Sequence, residues 1–176
     1  FDAGTIYEKG LVVGRIYDSC MGHDGLRKGM GLSFHRHEGQ AVECDDFRAA
    51  MADSSGRDLK QFERWYSQSG TPRVKATTSY DADAKTYEIT LSQSCPSTPG
   101  QSKKLPFHIP VAVGLLDAQG KDLNLCLDGQ VAAASQTTLI LELTKATQSF
   151  RFTGVEQKPT PSLLRNFSAP VVLAYA

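Results

Sequence analysis

The chain has 176 residues, 40% hydrophobic and 22% charged, which is enough to bury a substantial core and excludes a disordered or membrane-spanning protein. Nineteen Lys and Arg balance nineteen Asp and Glu. The basic residues are scattered, with Lys103 and Lys104 the only adjacent lysines, so there is no electrostatic footprint for nucleic acid or an anionic membrane surface.

In chain order, Thr5-Ile6-Tyr7-Glu8 has capping-box spacing and predicts a helix start, continued by Ile6, Val13 and Ile16-Tyr17. Gly10 and Gly14 inside it predict close packing against another backbone. Gly22-His23-Asp24 reads as a turn, followed by a second amphipathic helix with Leu26, Met30, Leu32 and Phe34 that ends in His35-Arg36-His37-Glu38-Gly39. His37-Glu38 begins like a zinc-protease helix, but Ala41 stands where the second histidine is required. His35, His37 and Glu38 are therefore read as a polar helix end. Cys44-Asp45-Asp46-Phe47 starts a third helix, with acidic residues at its N-terminus and Phe47, Ala50 and Met51 on one face. Asp58 to Tyr66 forms a fourth, burying Leu59, Phe62 and Trp65-Tyr66.

The helical period ends at Gly70-Thr71-Pro72, since glycine takes a positive φ readily and proline cannot extend a helix. Trp65 and Tyr66 stand just before this joint and are expected to pack the two halves together. From there the period is two. Val74 to Tyr80 and Tyr87 to Leu91 make a hairpin; Phe107 to Leu115, Leu123 to Leu127, Leu139 to Leu143, Phe150-Phe152 and Val171 to Tyr175 follow. About seven short strands with turns every 8 to 12 residues predict an antiparallel β-sandwich. No catalytic constellation is visible among them, and His108, between Pro106 and Pro110, is expected at an edge or facing outward rather than as a ligand. The fold expected is thus α+β in two parts, helices over 1–70 and sandwich over 71–176.

Cys20, Cys44, Cys95 and Cys126 are far apart, form no Cys-x-x-Cys unit and read as free thiols, in keeping with a cytoplasmic setting. Asn166-Phe167-Ser168 fits the glycosylation pattern, which chance also supplies often. The chain opens at Phe1, inside what reads as a folded element, and is expected to be a piece of a longer polypeptide.

Four strings go further than periodicity. Thr5-Ile6-Tyr7-Glu8-Lys9-Gly10, Phe62-Glu63-Arg64-Trp65-Tyr66-Ser67-Gln68-Ser69-Gly70-Thr71-Pro72, Phe107-His108-Ile109-Pro110-Val111 and Asn166-Phe167-Ser168-Ala169-Pro170-Val171 resemble the alanyl aminopeptidase N family of zinc-dependent exopeptidases, in one order along the whole chain. The resemblance implies that residues 1–70 are the helical end of a thermolysin-like catalytic domain and 71–176 the Ig-like β-sandwich that follows it. It implies a parent enzyme that hydrolyses N-terminal residues from peptides. Its zinc motif and the segment reading the substrate's free amine lie upstream, so this chain is expected to bind no zinc and to be inactive alone. The partners implied are peptide substrates and the missing N-terminal, zinc-binding and C-terminal helical domains. Tyr7 matches the family's catalytic tyrosine, which hydrogen-bonds the oxyanion of the transition state. Asp2 stands where relatives usually carry an aromatic that walls the pocket for the first substrate side chain, so a carboxylate there would alter specificity. The competing possibility is a non-catalytic β-sandwich interaction module with a helical appendage.

Overall fold

The computed structural model describes residues 3–130 and 135–175, with only the backbone of residues 3, 5 and 6. The Thr5 cap and Asp2 therefore lie outside what is described.

Helix α1 (Ala3–His37) is broken once, at Gly22 (φ 71°, ψ 165°), so the expected turn is a one-residue interruption that leaves two helical arms. The first arm buries Val13, Ile16, Tyr17 and Cys20, which recur at i, i+3, i+4 and i+7 and so share one face. The second arm packs on α2 (Cys44–Ser55). Among the described residues nothing packs closely on Gly10 or Gly14, for a Cβ at either would meet nothing within 4 Å. It occurs instead at buried Gly29, where a Cβ would run into the Met51 sulfur and stand 3.0 Å from Ser54 Oγ. The apolar face expected of this arm is only partly covered, since Met30 and Phe34 are exposed.

Helix α2 is capped by Glu43 and Asp46, whose Oδ2 accepts the Glu43 N–H at 2.9 Å, and it buries Ala50 and Met51 as its pattern predicts. The fourth helix is a 3-10 turn (Lys60–Glu63) running into α3 (Arg64–Ser67), with Leu59, Phe62 and Trp65 buried. Gly70 has φ 94°, as its place at the joint requires.

Strands β1 (Arg73–Asp81), β2 (Thr86–Ser94), β3 (Ile109–Leu116), β4 (Leu139–Leu143), β5 (Thr147–Thr153), β6 (Thr160–Leu163) and β7 (Val172–Tyr175) form two sheets, ordered β5-β2-β1-β7 and β4-β3-β6. Asp81 Oδ1 accepts the N–H groups of Asp83 and Ala84, at 3.0 and 2.9 Å, and so shapes the β1–β2 turn. Val74, Ala76, Tyr87, Ile89, Leu91 and Phe152 from one sheet share a continuous core with Ile109, Val111, Val113, Leu115, Leu141 and Leu143 from the other.

Three strand expectations need correction. Among the described residues, Leu123–Leu127 forms no ladder, because its backbone bonds to three different places: Leu123 N–H to Leu115, Leu125 N–H to Gln136, and Cys126 C=O from Thr153 N–H. β6 was hidden by Pro159 and Pro161; it lies at a sheet edge, where proline costs no ladder bond. β7 joins β1 in parallel, against an otherwise antiparallel sandwich, because the chain crosses over from β6 in the other sheet and enters the free β1 edge from the same end.

β3 is buried along nearly its whole length because each of its faces is covered. Its odd-numbered residues face the other sheet, and the opposite face lies under the helices. This corrects the expectation for His108. It is out of phase with Ile109 and Val111, as the alternation says, but that second face is roofed by Phe62, whose ring meets the imidazole edge-on at 4.7 Å. His108 is 5% exposed.

Candidate functional site

Tyr7 lies on the first arm of α1 opposite the face that buries Val13, Ile16 and Tyr17, and is 79% exposed. Next to it, Glu8, Lys9 and Val12 line a groove with Trp65, Gly70 and Pro170. Phe107 also lines it, so segments far apart in sequence meet beside the turn that carries Tyr7. Trp65 closes the joint as expected: its Nε1–H donates to the His108 carbonyl at 2.9 Å and its ring lies 4.6 Å from Phe107. Tyr66 meets Tyr17 at 3.5 Å between hydroxyls, and burial pushes both phenols above their ordinary range.

At the far end of the same arm lies a cluster that the sequence did not reveal. Cys20, His108 and Glu142 place one ligand-type atom each within 4.8 Å of one another. His108 Nε2–H donates to Glu142 Oε2 at 2.7 Å. Arg57 forks, one nitrogen on Glu142 Oε1 and Nη1 on the Cys20 carbonyl at 2.6 Å. The His108 hydrogen bond is the main cause that holds the Glu142 carboxyl at about 2; partial burial opposes it and Arg57 adds to it. Burial, then the Glu142 charge, pushes the Cys20 thiol up to about 12. Register explains the meeting: Glu142 pairs with Pro110, which puts it on the face of β3–β4 that carries His108. The available signal was the even phase of His108 and Glu142 within two odd-phased apolar strands.

All four cysteines are free thiols, as read from their spacing. The Ser168 hydroxyl of the glycosylation-like triplet is buried and accepts the Ala112 N–H at 2.9 Å. Among the described residues, no helix is long and apolar enough to cross a membrane.

Residues 70–176 match a family described as a domain of unknown function, DUF3458, with an Ig-like fold. Aminopeptidase N of Escherichia coli (strain K12) is 45% identical over 171 residues, covering 97% of this chain and 19% of that protein. Aminopeptidase N of Haemophilus influenzae is 42% identical over the same length, with the same coverage of each. Among solved structures, Legionella pneumophila aminopeptidase A in complex with aspartic acid superposes with a TM-score of 0.79 at 28% identity, over 96% of this chain and 18% of that one. The chain thus spans about a fifth of the length of these relatives, 19% of each aminopeptidase N. The chain belongs to the DUF3458 Ig-like family, and nearly its whole length is similar to a segment of aminopeptidase N.

Proposed function

We propose that this chain is the part of a zinc-dependent aminopeptidase that supplies Tyr7 as transition-state hydrogen-bond donor, its residues 1–70 ending the catalytic domain and 71–176 forming the β-sandwich behind it. The parent protein then removes N-terminal residues from peptides. The observation that carries this is the run Tyr7-Glu8-Lys9-Gly10 in a chain 45% identical over 97% of its length to an aminopeptidase N, on a helix arm that Val13, Ile16 and Tyr17 fix in the core. A phenol suits the task because it donates a strong hydrogen bond while neutral, its ordinary pKa being about 10. Directed at the oxyanion that develops as the scissile carbonyl becomes tetrahedral, it stabilises charge absent from the ground state.

The metal has its ligands elsewhere in the parent. Catalytic zinc needs three protein ligands and an open position. The Cys20, His108 and Glu142 cluster does not fit, because both Glu142 oxygens are already hydrogen-bonded, Cys20 is held as the thiol, and the Arg57 cation faces the cluster. Nor can a peptide reach it, as Cys20 and His108 are buried. Asp2, proposed to shape the pocket for the first substrate side chain, belongs to the undescribed N-terminal residues.

Kinetics of Tyr7→Phe in the zinc-loaded parent test the assignment. The expected outcome is kcat lowered by roughly 10²–10³, with KM and zinc content within about twofold. A kcat within about threefold of wild type, only about 0.7 kcal/mol, would return Tyr7 to a packing role.

A further inference from the structure

We propose that Arg57, Glu142 and His108 are positioning residues for peptide hydrolysis: a polar brace that fixes the end of the helix arm carrying Tyr7 without touching substrate. The proposal rests on the role assigned to Tyr7 above. The break at Gly22 ends the first arm, and the last carbonyls of a helix have no N–H partner within it. The Cys20 carbonyl takes its hydrogen bond from Arg57 instead, a cation placed where the helix dipole favours one. Arg57 is anchored at its own end, following Gly56 (φ 67°) at the close of α2, with its backbone N–H on the Ala52 carbonyl at 3.3 Å. Through Glu142 and His108 the contact reaches the paired strands β3 and β4, and the His108 carbonyl is held in turn by Trp65.

Packing of Val13, Ile16 and Tyr17 and the Arg15 hydrogen bond to the Asn166 carbonyl at 2.6 Å secure the middle of the arm. Apolar contacts resist separation more than tilt, whereas a forked guanidinium fixes direction. Tyr7 and Cys20 are thirteen positions apart, about 20 Å of helix, so a tilt of about 3° at the braced end moves the phenol by about 1 Å. A displacement of that size can cost a catalytic group up to about 10²-fold.

A double-mutant cycle in the zinc-loaded parent enzyme tests this. Glu142→Gln is expected to lower kcat about tenfold with KM and zinc content within about twofold; in a Tyr7→Phe background it should lower kcat less than about twofold, because no hydroxyl remains to be placed. Arg57→Lys keeps the charge but loses the fork, so it should behave the same way, and it decides the matter if Glu142→Gln does not fold. Equal losses in both backgrounds would overturn the proposal, since the brace would then act independently of Tyr7. Wild-type kcat in the variants would overturn it too. A wild-type kcat for Tyr7→Phe alone would show instead that the role assigned to Tyr7 had failed, and the brace with it.

Discussion

Glu142 joins the sandwich to the helices by accepting from His108 on one oxygen and Arg57 on the other, and this makes the fold sensitive to acid. Its pKa in the fold is about 2, against an ordinary 4.5. A depressed folded-state pKa contributes stability that is complete above the unfolded value and is lost as pH falls through the folded one. The window for Glu142 is therefore from about pH 4.5 down to about 2. Urea midpoints of wild type and Glu142→Gln should converge as pH is lowered through that window, because the wild type alone loses the charged pair. Parallel pH curves would mean that Glu142 titrates in the fold as it does unfolded. The sequence disclosed the phase of His108 but not what covers that face, since alternation reports which residues share a side and not which element packs on it. The role proposed for Tyr7 came only from its neighbours in the string, because a lone exposed tyrosine carries no chemical signature.

At the scale of elements, the positions of the breaks were legible and the close contacts were not. Gly22 and Gly39 each take the positive φ that interrupts or follows a helix, which local chemistry encodes, whereas α3 ends at Ser67 with Gln68 already extended, ahead of Gly70. Which glycine lets two helices approach depends on the crossing of α1 over α2, and local sequence does not contain that. Gly29 and Gly10 separate the two effects. Alanine gains about 1 kcal/mol over glycine in a helix interior, so Gly10→Ala, with open space around it, should stabilise by about that much. Gly29→Ala gains the same term but must displace the fully buried Met51, at an overpacking cost of about 1–3 kcal/mol, and should be neutral to destabilising by about 2 kcal/mol. Thermal denaturation of the two variants measures the difference; equal stabilisation of both would show that Met51 yields freely. Strand β6 escaped notice, and Leu123–Leu127 was read as a regular strand, for a related reason, since ladder pairing is set by neighbours remote in sequence.

For the whole molecule, one core runs from Ile16 and Phe62 through Val111 to Ile89, so the sandwich is packed directly against the helices. We propose that this continuity lets the β-sandwich serve as a rigid footing for the end of the catalytic domain, with the boundary near Gly70. Two-layer architecture followed from the change of period at that joint, whereas the proposed activity came only from strings resembling a family, because on that proposal the metal and most of the substrate site belong to other parts of the parent. The most direct measurement is the inhibition constant of a tetrahedral phosphinic dipeptide analogue against the zinc-loaded parent and its Tyr7→Phe variant. A donor that acts on the transition state should lose the analogue by about 10²–10³-fold while affinity for an uncleaved, planar substrate analogue changes by less than about twofold. Equal changes for the two ligands, or no change for either, would contradict the assignment of Tyr7 to the oxyanion.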